Sequence, residues 1–329
     1  MKILLAIQGT GNGHLSRARD IYPELAKYGD VDVLISGIQA DVDTPFPVKY
    51  KKYGLSFIFG KKGGIDFVGT AKKLKLFRVS REVKDMPVEQ YDLVINDFEP
   101  VTAWACHRKK LPCISLSHQC AVLHPLSPRP EKKDILGELV LSRYAPVTAE
   151  YGFHFKALDK NIFTPVIRKE IRSVEPTNEG HYTVYLPAYG DEIFMKYFTQ
   201  FPDVQWQVFS KHAKEDYVHQ NISIKKVNNK AFVESMASSA GVLLGAGFEG
   251  PAEAMFLGKK VCVVPMQAQY EQQCNALGAQ MMGASIIKSL NGPSMEKLGD
   301  WLRNGQAIKV DYPDMTADII KNIIDKHGK

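Results

Sequence analysis

The first residues able to do chemistry are Gly9-Thr10-Gly11-Asn12-Gly13-His14. Alternating glycines let a backbone approach a phosphate or a sugar closely, and a helix beginning there offers free N–H groups and a partial positive charge. The run is not a dinucleotide fingerprint. His14 stands where the last glycine is needed, and the next strand ends in Ser36-Gly37 without an acidic residue for a ribose. Nor is it a P-loop, since no Lys-Ser or Lys-Thr pair follows. A tight turn without a ligand is the plain alternative. His14 has two readings. Near a helix start the dipole disfavours its imidazolium, which predicts a neutral ring able to take a proton from a hydroxyl. A polar N-cap is the other reading.

A second cluster lies in the C-terminal half: Gly245-Ala246-Gly247-Phe248-Glu249-Gly250-Pro251-Ala252-Glu253, with Gly258 beyond it. A strand entering a glycine turn, then a proline in a first helical turn and a glycine at the far end, predicts a short helix. Its N-terminus would suit an anionic group such as a diphosphate. Taken alone, Glu253 is accounted for by the dipole of that helix. Gln272 and Gln273 follow, amides that hydrogen-bond hydroxyls without adding charge; a polar helix face is their ordinary alternative.

Elements must bring these clusters together. Short β-branched runs predict strands over Lys2–Ile7, Val31–Ser36, Asp92–Asn96 and Pro112–Leu116, then Tyr182–Leu186, Val204–Phe209, Gly241–Leu244 and Lys260–Val264. Helical periodicity predicts His14–Tyr28, Pro100–Lys109, Asp191–Gln200, Lys230–Ser239, Gly250–Leu257, Tyr270–Met282 and Ser294–Arg303 between or after them. Continuous apolar strands alternating with helices imply an α/β fold with parallel sheets covered on both faces. The pattern runs twice. Residues 1–163 form the expected N-terminal unit and 164–313 the C-terminal one. Prolines and dense charge between Thr164 and Gly180 read as the interdomain linker. Isoleucines at 319, 320, 323 and 324 predict a last helix within 314–329, expected to pack back on the N-terminal unit.

In this order the clusters resemble a glycosyltransferase of the two-Rossmann (GT-B) type. The likeness is closest to the group of the bacterial peptidoglycan N-acetylglucosaminyltransferase and the UDP-glucuronosyltransferase-like proteins. It rests on Gly9–His14, Asn96-Asp97-Phe98-Glu99-Pro100, Ser117-His118-Gln119, Pro165-Val166-Ile167-Arg168 and, most specifically, Gly245–Ala276. The resemblance implies two Rossmann-like domains facing a central cleft, the acceptor on the N-terminal one and a nucleotide sugar on the other. It implies that His14 deprotonates the acceptor hydroxyl, with Asp97 orienting it or sharing that role. Gly9, Thr10, Gly11, Asn12, Gly13 and Gln119 would form the phosphate or acceptor loop. Gly245, Ala246, Gly247 and Phe248 would line the diphosphate, and Glu253 would hold the ribose, with Glu249 close enough to compete. Gln272 and Gln273 would hold the transferred sugar, and the stretch at Val227 and Asn228 would meet the base. The implied donor is a UDP- or dTDP-linked sugar, and the implied route is inverting, independent of metal and of any cofactor. The setting would be cell-envelope or glycan biosynthesis, with a glycan or lipid-linked acceptor. The chain departs from the family at Pro187-Ala188-Tyr189-Gly190, where serine or threonine with more glycines is usual. The alternatives are an epimerase or hydrolase of nucleotide sugars on the same fold, or a non-catalytic sugar-nucleotide-binding protein.

Composition narrows the rest. The chain has 329 residues, 45% hydrophobic and 24% charged, which is ordinary globular usage and excludes disorder or a disulfide-stapled miniature. Five cysteines without Cys-x-x-Cys spacing argue against a zinc site and for a reducing cytoplasm. The apolar run Ile3–Ile7 is cut off by Gln8-Gly9, too short for a secretion signal. A net charge of +6 is too small to argue for nucleic acid. Lys49 to Asp85, however, holds eleven basic and three acidic residues with six aromatics among them. Residues 49–85 are therefore either a solvated basic face or a docking surface for an anionic membrane or a phosphate-bearing acceptor.

Overall fold

The computed structural model describes residues 1–10, 12–37, 44–55, 76–267 and 269–328, and only the backbone of Asn12 and Leu76. Gly11 of the first loop and residues 56–75 of the basic stretch lie outside the described residues.

The first half runs β1 (Lys2–Gln8), α1 (Asn12–Leu25), β2 (Asp30–Ser36), β3 (Tyr50–Lys52), α2 (Leu76–Lys84), β4 (Leu93–Asp97), α3 (Pro100–Lys109), β5 (Ile114–Ser117), α4 (His118–Val122), α5 (Ile135–Arg143), β6 (Ala149–Phe153) and β7 (Ile162–Phe163). The strands pair in parallel in the order β3-β2-β1-β4-β5-β6-β7. β1 lies at the reversal of that order. Ile3 to Ile7 are apolar without alternation because helices cover both faces of a central parallel strand, and all five are buried.

The second half runs α6 (Lys169–Arg172), β8 (Tyr182–Tyr185), α7 (Asp191–Phe198), β9 (Trp206–Ser210), β10 (Tyr217–His219), β11 (Ile222–Lys226), α8 (Asn229–Ser238), β12 (Gly241–Gly245), α9 (Glu249–Phe256), β13 (Lys260–Val264), α10 (Tyr270–Met281), β14 (Ser285–Ile286), α11 (Met295–Asn304) and α12 (Thr316–His327). Its sheet repeats the plan in the order β10-β11-β9-β8-β12-β13-β14. The all-parallel expectation fails at one edge, where β10 is antiparallel to β11. The chain is thus an α/β protein of two Rossmann-like units. α12 returns to the first of them. Ile319, Ile320 and Ile323 share a core cluster with Leu15, Ala18 and Ile21 of α1, and the Tyr151 hydroxyl meets His327 Nε2 at 3.0 Å.

The linker is not loose. Ile167 and Ile171 are buried in the core cluster common to both halves, and the Thr177 and Glu179 amides donate to the Ala237 and Ser238 carbonyls at 2.9 and 2.8 Å. One of its charges, Arg168, is itself buried. α1 stops at Leu25 rather than Tyr28: Pro23 lies in its last turn, and Gly29 at φ +155° turns the chain into β2.

Candidate active site

Neighbouring strands at a reversal of sheet order place their following loops side by side. Here those strands are β1 and β4, so the turn into α1 meets the end of β4. Asp97 is the last residue of β4, and the turn behind it is locked. Asn96 Nδ2 donates to the Glu99 carbonyl at 2.7 Å, and the Glu99 amide returns a bond to Asn96 Oδ1 at 2.9 Å. Glu99 is fully buried as the N-cap of α3, accepting from the Val101 and Thr102 amides, both at 2.7 Å. Phe98 takes a left-handed φ of 55° between them and stacks on Tyr144 at 4.7 Å. Such backbone conformations persist only where the surroundings impose them.

Held in this way, Asp97 Oδ1 lies 2.9 Å from His14 Nδ1, the third residue of α1. The contact assigns the proton of a neutral ring to Nδ1 and makes Nε2 the basic nitrogen. Nε2 faces Gln119 Nε2 at 3.4 Å, and that amide donates to Glu271 Oε1 at 3.1 Å. The helix dipole does not set the state of this imidazole. Burial favours the neutral ring, and Arg17 does too, but the charge and hydrogen bond of Asp97, with Glu249 adding, raise the His14 pKa above its ordinary value. Burial alone would push the Asp97 carboxyl up; Arg17 and His14 hold it below the usual range instead.

Arg17 was not singled out in the sequence, and it links the two halves. It is 2% exposed and donates through Nη2 to both Asp97 oxygens at 2.7 Å. Nη1 donates to Glu249 Oε1, the first residue of α9 in the other half. The signal for it was its spacing: three residues from His14, it shares a helical face with it. Two more contacts cross the seam. His118 Nε2 lies 2.6 Å from Asn275 Oδ1, and the His118 ring lies flat on Phe248 with centroids 3.8 Å apart.

The first loop owes its glycines to close approach. The Gly9 amide donates to the Ser36 carbonyl at 2.6 Å, and a Cβ there would meet Ile35 Cγ2 at 2.9 Å and the Ser36 oxygen at 3.0 Å. A Cβ at Gly13 would meet the carboxylate carbon of Glu249 at 2.8 Å. Gln8 Nε2 donates to Thr10 Oγ1 and to the Tyr144 hydroxyl, both at 2.8 Å.

In the second half, Gly245 ends β12, and a Cβ at Gly245 or Gly247 would meet nothing within 4 Å, so the turn faces open space. The Ala246 amide donates to the Val264 carbonyl at 3.2 Å, and the Phe248 ring is turned inward onto His118 and Phe155. Glu253 is buried and bound bidentately by Arg168, Nε to Oε1 at 2.5 Å and Nη2 to Oε2 at 2.7 Å. Burial pushes its carboxyl pKa up against the pull of Arg168. Arg168 also binds Glu170 and donates to Asn229 Oδ1 at 2.9 Å. Gln272 Oε1 accepts from the Met266 amide at 2.8 Å, and Gln273 is half-buried beside it on α10. Asn228 caps α8 through the Ala231 amide at 2.9 Å, after the exposed Val227.

Among the described residues, no group of three or more His, Cys, Asp or Glu is placed to hold a metal ion. The sequence does contain metal-type Asp-x-Asp tripeptides. Asp30-Val31-Asp32 begins β2, at the end of the strand opposite to the one that faces the site, where Asp32 accepts from Lys49 at 2.6 Å and Tyr91 at 2.7 Å. Asp41-Val42-Asp43 lies outside the described residues. The five cysteines are free thiols, and four are buried.

A sequence model of the family described as glycosyl transferase family 1 matches residues 1–304. No curated protein sequence matches significantly. Solved structures similar in fold include the glycosyltransferase of kitacinnamycin, with a TM-score of 0.59 and 13% identity over 99% of this chain and 95% of that one. MurG of Acinetobacter baumannii gives 0.56 and 14% over 99% of both chains. UGT89C1 of Arabidopsis thaliana, solved with UDP, gives 0.56 and 12% over 99% and 94%.

Proposed function

Because the chain belongs to glycosyl transferase family 1, we propose that it moves a sugar from a nucleoside-diphosphate donor, UDP- or dTDP-linked, to an acceptor hydroxyl. The observation that carries the assignment of roles is His14 Nδ1 on Asp97 at the strand-order reversal, opposite the glycine turn of the other half. His14 Nε2 takes the proton of the acceptor hydroxyl while that oxygen bonds to the anomeric carbon. The bond from that carbon to the diphosphate breaks, and the nucleoside diphosphate leaves. Asp97 fixes the tautomer and stabilises the imidazolium that forms. One displacement with one base inverts the anomeric centre.

The leaving diphosphate would lie at the turn Gly245–Phe248, where the missing side chains leave room and the N-terminus of α9 favours negative charge. That charge stabilisation calls for no metal or cofactor. Glu253 would take the ribose hydroxyls, with Arg168 as the partner it holds until then. Gln272 and Gln273 would hold the sugar, and the backbone at Val227 and Asn228 would meet the base. Among solved neighbours, UGT89C1 is complexed with UDP or UDP-L-rhamnose and SsfS6 with thymidine diphosphate, which supports a donor of this class here.

A thermal-shift screen against UDP, dTDP, GDP and their sugars tests the donor. A ligand at 100 times its Kd should stabilise the protein by about 2.7 kcal/mol. No shift with any of them contradicts a nucleotide-sugar donor.

For the acceptor we propose a glycan or a lipid-linked molecule presented at an anionic membrane surface, with the protein acting from the cytoplasmic side. Phe77 on α2 is 96% exposed, and Arg81 and Lys84 follow at the spacing of the same helical face. Ile135, Leu136 and Leu139 of α5 are also exposed. No described helix is long and apolar enough to cross a membrane, so the attachment would be peripheral. Basic residues near such a surface contribute roughly 1 kcal/mol each. Sedimentation with vesicles should rise with their anionic lipid content and fall in Phe77→Ala with Arg81→Glu; binding independent of anionic lipid contradicts the proposal.

A further inference from the structure

Glu249 lies where the donor's negative charge would have to go. It is the first residue of α9, following directly on the glycine turn assigned to the diphosphate. Its carboxylate packs against Gly13 of the first loop, closer than any side chain at that position would permit. It also accepts from Arg17 Nη1. An anionic group is therefore held between Gly13 at the start of α1 in one half, the start of α9 in the other, and a buried guanidinium.

Two further observations point to a ligand in the same place. Arg17 is 2% exposed, yet its Nε is buried without a hydrogen-bond partner among the described residues. Gln119, 5% exposed, has its side-chain oxygen likewise unpartnered among the described residues, an acceptor suited to a hydroxyl of the sugar beside the phosphates, and its amide nitrogen faces His14. The open side of the turn at Gly245 and Gly247 adds the space.

Arg17 carries one positive charge and already serves Asp97 and Glu249. A diphosphate brought to the same spot adds further negative charge, and three anionic groups around one guanidinium repel one another. The carboxylate able to leave is Glu249, because its side chain is 22% exposed while that of Asp97 is 4% exposed. We propose that Glu249 is an internal stand-in for the donor's diphosphate: it occupies the Arg17 site while the cleft is empty, and the phosphate oxygens of the nucleoside diphosphate displace it and pair with Arg17. The inference rests on the nucleotide-sugar reading above and adds to it a resident competitor and a cationic partner for the leaving group.

Calorimetric titration of wild type and Glu249→Gln with UDP, dTDP, inorganic pyrophosphate, uridine and thymidine tests it. Removing the competing charge should tighten the nucleoside diphosphate and pyrophosphate about tenfold, the scale of one charge-assisted contact. The nucleosides, which carry no phosphate, should bind both proteins alike. Arg17→Lys should reduce the gain, since a point charge replaces the fork. Unchanged affinity in Glu249→Gln overturns the stand-in role. Weakened binding of the nucleosides as well overturns it in favour of a ribose contact by Glu249. If wild type binds none of the diphosphates, the donor reading falls and this inference with it, an outcome distinct from the other two.

Discussion

His14→Ala should lower kcat for sugar transfer by about 10²–10⁴, the range over which a positioned base contributes. The Nε2 of His14 is the basic nitrogen of a ring whose Nδ1 is held by Asp97 at 2.9 Å, whereas both ring nitrogens of the nearby His118 are engaged, Nδ1 on the Phe153 carbonyl at 2.8 Å and Nε2 on Asn275. The same geometry sets the pH dependence. A base works when neutral, and the His14 pKa is raised, so kcat/KM should climb with pH through a limb above the ordinary histidine value of about 6.5. Asp97→Asn removes the group that raises it. The limb should then move to lower pH while the maximal rate falls, because the amide no longer stabilises the imidazolium. An acid limb that stays in place in Asp97→Asn would detach His14 from that ionisation.

Arg17→Met should destabilise the protein by roughly 3–5 kcal/mol, the cost of leaving buried charges uncompensated. Arg17 is shared between Asp97 of the first half and Glu249 of the second, and its loss leaves two carboxylates facing one site. Arg17→Lys keeps the charge but not the fork and should recover only part of the loss. Urea denaturation measures both. A midpoint unchanged in Arg17→Met would show that the bridge contributes nothing to holding the halves together.

The fold was legible to the extent that apolar runs were long. β1, β4, β12 and β13 lie inside their sheets and are mostly buried, so each carries a run of consecutive apolar residues. β3, β7, β10 and β14 have two or three residues at or near sheet edges, and β11 ends in Lys225-Lys226, so neither length nor hydrophobicity marked them. The last helix and Pro100–Lys109 were visible from isoleucine spacing and from Pro at N1.

In the site, the glycine runs, His14 and Asp97 were legible because their residue types are unusual at those positions. The partners that hold them were not. Arg17 is a basic residue inside a helix, which ordinarily means solvent, and Arg168 sat in a charged stretch that looked like a linker. Both are buried against carboxylates from distant segments, Asp97 and Glu249 for one and Glu253 for the other. Contacts across 80 or more positions leave no local pattern.

The proposed mechanism divides the labour: His14 acts on the acceptor and Glu253 holds the donor. Titrating the nucleotide that gives the strongest thermal shift into wild type, His14→Ala and Glu253→Ala, beside a transfer assay of each, tests it most directly. His14→Ala should bind the nucleotide within about twofold of wild type while losing transfer, and Glu253→Ala should bind it at least tenfold more weakly, about 1.4 kcal/mol. Equal loss of nucleotide binding in the two variants, or transfer retained by His14→Ala, would contradict it.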